Sequence, residues 1–203
     1  MKFRKPWLIA ICLLVGCGST SPSLTRAERD RLPLDGRQEI FDAENDLVIA
    51  LNRADLARDQ LRALKKAEDD LDDVQKSCER RLAAQSDRIP HLRKVIRAER
   101  DYLEARGDVA EAEVTVAEQE IRIARSRLDL VKQRQLVRTG KAPSASLKTY
   151  ERAIDEQEAK GKQVRSTSMD LRTKAQGLLD QWKYAEAEYA RQTGDFDSGI
   201  WLQ

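Results

Sequence analysis

Few residues in this chain are of the types that catalyse reactions or bind metals. The 203-residue sequence contains one histidine, His91, which follows Pro90 at the expected start of a helix, where an exposed position in a turn is typical. A metal site or a catalytic base would need further ligands or acids beside it, and the sequence places none there. The motifs HExxH, GxSxG and GxxxxGK are absent. The carboxylates lie in blocks along expected helices, so we predict a protein that is not an enzyme, with no cofactor, metal or small-molecule substrate.

The N-terminus predicts an export signal. Three cations, Lys2, Arg4 and Lys5, precede an apolar run from Trp7 to Val15. This order is that of a secretory signal peptide. The run is too short to cross a bilayer, which takes about 20 residues. An uncleaved membrane anchor is the alternative, and both the length of the run and its flanks argue against it.

The apolar run ends in the sequence Leu14-Val15-Gly16-Cys17, which resembles the lipobox of bacterial lipoproteins. In that family the signal, here residues 1–16, is cut off before the cysteine, whose thiol and amine are then acylated. The resemblance implies a covalent acyl and diacylglycerol lipid on Cys17, which holds more firmly than a single myristoyl chain. With Gly18 after the cysteine, it also implies the outer membrane, facing the periplasm or the cell surface.

The third thiol, Cys78, is not expected to form an internal disulfide. Cys12 leaves with the signal, and Cys17 is the predicted lipid site. In an oxidising compartment such a cysteine is either a buried small apolar residue or an intermolecular link. The position of Cys78 on the apolar face of an expected helix favours burial.

The composition predicts long helices rather than a compact mixed fold. Charged residues make up 35% of the chain and aromatic residues 5%, which is typical of coiled coils. Without the three cations of the signal, the 37 basic side chains fall to 34, against 35 acidic ones. Binding to nucleic acid is therefore not predicted.

Three segments repeat apolar residues at coiled-coil spacing, and we predict helices at residues 39–86, 91–139 and 144–192. Pro90 begins the second helix and the stretch around Gly140 and Pro143 separates the second from the third. The apolar face of the first helix is predicted to be Leu47, Leu51, Ala54, Ala57, Leu61, Leu64, Ala67, Leu71, Val74, Cys78 and Leu82. Polar residues interrupt the faces of the other two helices at Gln119, Ser126, Gln133, Gln157 and Ser168.

Short connections between helices of equal length predict antiparallel neighbours. Folding the second and third helices about Gly140 sets residue i beside residue 283 − i, which brings the basic stretch 122–138 beside acidic residues and the acidic stretch 108–120 beside basic ones. Folding the first two helices about residue 89 matches charges in the same way. The prediction is an all-α fold, an elongated antiparallel three-helix coiled-coil bundle in up-down-up order.

The bundle is predicted to occupy residues 38–192. Residues 17–37 contain Ser-Thr-Ser-Pro-Ser and Leu-Pro-Leu-Asp-Gly, which suits a flexible tether behind the lipid. Residues 193–203 form a C-terminal tail, whose apolar residues are expected to fold back over the end of the bundle or to dock a partner.

The hairpin around Gly140 has a second resemblance. Its sequence, ARSRLDLVKQRQLVRTGKAPSASLKTYERA at residues 124–153, is similar to the helical hairpins of periplasmic adaptor proteins and of TolC-type outer-membrane efflux proteins. It departs from the adaptor pattern, since Lys132 precedes Leu136 where an arginine is usual and Pro143 follows where a serine is usual. The resemblance implies an accessory component of an efflux or secretion channel, docking through the tip residues Arg138, Gly140, Lys141 and Pro143.

The leading hypothesis is a non-enzymatic, lipid-anchored rod that is structural or binds a partner at the outer membrane. The partner would be a protein of the cell envelope or a second copy. Polar residues on the helix faces suit either the control of register or an exchange of intramolecular for intermolecular packing. A periplasmic chaperone and a cell-wall linker are less favoured, because the turn Thr139–Ser146 is polar and basic and the chain ends in Leu-Gln.

Overall fold

The structure, a computed structural model, describes residues 21–81, 83 and 87–194, and these form helices without strands. The elements are α1 (Arg26–Asp30), α2 (Leu34–Arg81), α3 (Ile89–Arg138), a 3-10 turn (Ser144–Ser146) and α4 (Leu147–Thr193). The predicted all-α fold of long helices that pack against each other is confirmed. Within the described ranges, no helix is both long and apolar enough to span a bilayer.

Helix α2 begins earlier than predicted, at Leu34 instead of residue 39. Pro33 precedes its first turn and accepts a hydrogen bond from the Arg37 N–H at 3.0 Å. Gly36, which we expected to keep the chain flexible, instead lets α2 approach α3. A Cβ atom at Gly36 would lie 2.6 Å from the Gln135 side-chain oxygen, so any larger residue would force that side chain to move.

Much of the predicted tether is folded. Thr25 caps α1, since its hydroxyl accepts from the Glu28 N–H at 3.3 Å while the Glu28 carboxylate accepts from the Thr25 N–H at 2.7 Å. Leu32 is buried at 4% exposure and clusters with Ile40 and Leu128. Burial of the leucines in this segment outweighs its Ser- and Pro-rich composition. Of the predicted tether, residues 17–20 lie outside the described residues.

Ion pairs join α2 to α3 at several places along their length. Arg138 lies 3.3 Å from Glu39 near one end of the pair, and Arg93 lies 2.9 Å from Glu79 near the other. Between them the interface consists mostly of alanines, which let the two helix backbones approach closely: Ala50, Ala54, Ala57, Ala117 and Ala124. Leu51 is 39% exposed. Its predicted place on this face is wrong, because the face passes through Ala50, one helix position away.

Helices α3 and α4 are joined in the same manner. Arg127 lies 2.7 Å from Glu158, and Arg172 lies 2.8 Å from Glu113. The sequence placed residue 156 opposite Arg127, two residues from its observed partner. The basic stretch 122–138 and the acidic stretch 108–120 of α3 were both predicted to lie beside opposite charges on α4, and each forms an ion pair there.

The buried residues lie along α3 in several small clusters. The cluster of Leu71, Cys78, Leu92, Val95, Ile96 and Tyr189 contains residues of all three long helices. The others near mid-length join α3 to one neighbour only, to α2 through alanines or to α4 through Ala105, Val109 and Ala175. Cys78 is buried at 3% exposure, as predicted. The three helices thus pack together near residues 71–96, whereas at mid-length α3 holds α2 and α4 separately.

Candidate functional site

The turn after α3 is built around Gly140. This residue has a φ of +72°, in the left-handed region that glycine adopts without strain. The Gly140 N–H donates to the Val137 carbonyl at 3.0 Å, and the Lys141 N–H donates to the Leu136 carbonyl at 2.8 Å. These bonds satisfy carbonyls that the last turn of a helix leaves without helical partners. Gly140 thus takes the left-handed position after the helix, as the sequence predicts.

The four predicted docking residues lie together at this end of the molecule, and all are exposed. Two of them form ion pairs with residues of α1 and α2. Arg138 pairs with Glu39 at 3.3 Å and with Asp35 at 3.9 Å. Lys141 donates a hydrogen bond to Glu28 of α1. The sequence signal for this arrangement was the Thr25-x-x-Glu28 capping pattern, which marks a helix start inside the predicted tether.

Glu28 is electrostatically unusual for a carboxylate that is only partly buried. The hydrogen bond from Lys141 and then those from Thr25 lower the pKa of Glu28 from 4.5 to about 2. Donors to the ionised form stabilise it relative to the protonated form. Glu28 therefore links α1 to the Gly140 turn as a carboxylate throughout the physiological range.

The N-terminal segment continues along the side of α3. The Ser21 hydroxyl donates to Asp129 at 3.4 Å, and Pro22 is buried. Arg29 makes two hydrogen bonds to Glu44 of α2, at 2.6 and 3.1 Å. Polar and apolar contacts together hold this segment against the helices. Cys17, the predicted lipid site, lies outside the described residues.

Helix α2 exposes apolar residues on the side that faces away from α3. Leu34 is 74% exposed and Phe41 63%. Leu34, Phe41 and Val48 recur every seven residues, so they lie on one side of the helix. The exposed large apolar residues of α2 are together called its outer face: Leu34, Phe41, Val48, Ile49, Leu51 and Leu56. The first half of α2 thus has apolar residues on two faces, and α3 covers one of them.

A groove runs along α3 between α2 and α4. Glu120 of α3 lies at its floor, 3.5 Å from Arg53 of α2 and 3.2 Å from Arg165 of α4. Further along, Arg172 crosses from α4 to Glu113 at 2.8 Å. These ion pairs bridge the groove in place of an apolar core.

Three of the polar residues on the helix faces form hydrogen bonds within the chain. Gln119, 5% exposed, donates to the Gln157 carbonyl and side-chain oxygens, each at 2.8 Å. Gln133 donates to the Ser146 hydroxyl at 2.6 Å. These satisfied bonds favour the control of register over an exchange of partners.

His91 is half-buried at the start of α3, beside Leu92. In the part of the chain that the structure describes, no group of three or more His, Cys, Asp or Glu side chains is arranged to hold a metal ion.

Comparison with known proteins gave no match to any family model, curated protein or solved structure. The two resemblances drawn from the sequence therefore stay predictions.

Proposed function

We propose that this protein is a non-enzymatic rod of the bacterial outer membrane, anchored by a lipid on Cys17, facing the periplasm, and acting as a structural or partner-binding coiled coil. The export signal and the lipobox-like sequence support the anchor. The outer face of α2 is the observation that carries the partner-binding role, because heptad-spaced apolar residues are what a partner helix packs against.

The proposed rod is a three-helix bundle in up-down-up order. Helices α2, α3 and α4 contain 48, 50 and 47 residues. At 1.5 Å per residue each is about 70 to 75 Å long. The antiparallel ion pairs on both sides of α3 support this order. Such a rod would present a long side face at a distance from the membrane.

We propose that the partner on the outer face of α2 is a second copy of this chain. Leu34, Phe41 and Val48 fit the d positions of a heptad, and Asn45 and Asn52 then fall at a positions. An asparagine at an a position fixes register in parallel two-stranded coiled coils. The same frame puts Ile49, Leu51 and Leu56 at the flanking e and g positions. All six residues of the face would therefore be partly covered by one parallel neighbour.

The charges beside the face agree with this pairing. In a parallel, in-register pair the g position of one helix meets the following e position of the other. Arg37 would then face Asp42 of the second copy, and Leu51 would face Leu56. Two copies that are anchored through a lipid on the same residue have the same orientation in one membrane. Anchoring also raises the effective concentration of one copy beside another, which a short contact of about three heptads needs.

The anchor is tested by Cys17→Ser. We expect the variant to leave the membrane fraction for the soluble fraction, or to accumulate as a precursor with its signal uncleaved. Both results are read from fractionation and the intact mass of the protein. Unchanged fractionation with normal processing would contradict the lipid anchor.

The pairing is tested with Asn45→Cys in the anchored chain. An a-position cysteine in a parallel pair faces its own copy at a distance that suits a disulfide, so oxidation should give a covalent dimer on a non-reducing gel. Thr167→Cys, exposed on α4, is the matched control and should stay monomeric. Cys78 is buried and should not interfere.

A second substitution links the dimer to the outer face of α2. Phe41→Glu in the Asn45→Cys chain should reduce the disulfide-linked fraction at least tenfold, because it buries a charge in the contact. Tyr184→Glu, at a similarly exposed aromatic residue of α4, should leave the fraction unchanged. No dimer at residue 45, or equal dimer at residues 45 and 167, would contradict pairing through this face.

A further inference from the structure

The N-terminal segment approaches the rod at one end only. Ser21 contacts Asp129 on the side of α3 at 3.4 Å, and α1 reaches the Gly140 turn through Glu28 and Lys141. Leu24 and Leu32 pack beside Leu128 in the same region. The chain at Ser21 is therefore held next to the end of the rod that the Gly140 turn forms. We call this end the Gly140 end.

Covalent geometry limits where a lipid on Cys17 can lie. Ser21 is four positions after Cys17, and a fully extended chain of this length spans at most about 14 Å. Along α3, Asp129 is 40 residues from Ile89, about 60 Å of helix. A membrane that holds the lipid is thus within reach of the Gly140 end, and an upright or tilted rod would carry the opposite end, near residue 89, far from it.

We propose that the Gly140 end rests on the membrane and that its cations contact the headgroups of anionic phospholipids, while the end near residue 89 points away. The proposal rests on the lipid anchor at Cys17 proposed above. It assigns a lipid surface, instead of a channel, to this end of the hairpin, with Arg134, Lys148 and Arg152 as the contacting cations.

Cations are present at the Gly140 end. Residues 134–153 contain one anion, Glu151, and five exposed cations: Arg134, Arg138, Lys141, Lys148 and Arg152. Arg138 and Lys141 pair with Glu39 and Glu28, so the hairpin cations available to headgroups are Arg134, Lys148 and Arg152. Charge alone does not select this end, because residues 88–100 at the opposite end also contain five cations and one anion. The reach of the chain from Ser21 sets the orientation, and an anionic surface then attracts the cations of the hairpin.

The orientation is tested by photo-crosslinking in the anchored, full-length chain. A photoreactive amino acid is placed at Ser144, in the Gly140 turn, or at Asp87, in the turn before α3; both positions are exposed. We expect an adduct with the mass of a phospholipid at residue 144 and none at residue 87. A phospholipid adduct at residue 87 alone, or only protein adducts at residue 144, would overturn the proposal, and the second result would favour channel docking.

The role of charge is tested with vesicles. The Cys17→Ser chain without its signal should bind vesicles of phosphatidylglycerol and phosphatidylethanolamine more tightly than neutral phosphatidylcholine vesicles. Each cation near an anionic surface contributes about fivefold in affinity. Lys148→Glu with Arg152→Glu should therefore weaken binding to anionic vesicles at least tenfold. Lys160→Glu with Lys174→Glu, on the exposed middle of α4, is the matched control. Equal loss in both double variants, or no preference for anionic vesicles, would overturn the headgroup contact.

The two proposals can fail separately. If Cys17→Ser leaves fractionation and processing unchanged, the lipid anchor fails, and this orientation fails with it. If Cys17→Ser releases the protein but the lipid adduct forms at residue 87 alone, the anchor stands and only the orientation is overturned.

Discussion

Glu28 shows how a single carboxylate can fix the N-terminal segment of this protein. Its pKa is about 2, instead of 4.5, mainly because Lys141 donates a hydrogen bond to it. The folded pKa lies below the unfolded one. The contribution of the contact to stability is therefore fully present above about pH 4.5 and is lost as the pH falls toward 2. Acid should release α1 from the Gly140 turn before it unfolds helices held by apolar contacts.

Lys141→Gln tests this contact directly. The substitution removes the largest cause of the shift, so the pKa of Glu28 should rise toward 4.5, although the bonds from Thr25 should keep it somewhat low. The measurement is an NMR titration of the side-chain carboxyl carbons. Glu79, whose pKa is lowered mainly by Arg93, should titrate as in the unsubstituted chain. An unchanged Glu28 pKa would show that Lys141 does not contact it in solution.

Two glycines should respond to alanine in opposite directions. Gly140 has a φ of +72° and no atom within 4 Å of the site where a Cβ would stand, so Gly140→Ala is opposed by backbone strain alone. We expect a loss of about 1 kcal/mol in the free energy of unfolding. Gly177 lies inside α4, also with open space around it. Gly177→Ala should add about 0.5 to 1 kcal/mol. Urea denaturation measures both, and a gain at Gly140 would contradict the left-handed turn.

At the scale of helices, small residues set how closely α2 and α3 approach. Ala54 is fully buried, at 0% exposure, among alanines of both helices. Ala54→Leu adds volume that the interface cannot accommodate without separating the helices, and such overpacking typically costs about 1 to 3 kcal/mol. Ala67→Leu, at an exposed alanine of the same helix, is the control and should change the free energy of unfolding by less than about 0.5 kcal/mol. Equal effects in urea denaturation would mean that α2 does not pack through Ala54.

The pairing of helices was predictable because charge and periodicity agree along most of the chain. The sequence set Arg127 opposite residue 156, and the bond to Glu158 lies two residues away.

The N-terminal segment was not predicted, because Leu24 and Leu32 are too few to give a periodic signal and are buried only once the long helices provide a surface. Periodicity also indicates which residues of a helix face a neighbour. It does not indicate that α2 and α4 make few contacts with each other at mid-length. The outer face of α2 and the groove were missed for that reason.

At the scale of the whole molecule, the elongated shape that the proposed rod requires is the most direct observable. A compact chain of 174 residues, the length of the segment from 21 to 194, would have a radius of gyration of about 16 Å. Helices about 70 to 75 Å long instead require about 22 Å or more, because mass is spread along one axis. Small-angle X-ray scattering of the Cys17→Ser chain at low concentration should give the larger value, with a maximum dimension near the helix length.

Scattering at higher concentration then tests the pairing independently of disulfides. Two rods in parallel register through the outer face of α2 would double the molecular mass while the maximum dimension rises by only about the width of a helix or two, roughly 10 to 20 Å in cross-section. Rods joined end to end would almost double the maximum dimension. Phe41→Glu should keep the mass of a single chain, whereas Tyr184→Glu should follow the unsubstituted protein. A mass that doubles together with the length would place the contact at the ends of the rod and would remove the outer face of α2 as the pairing surface.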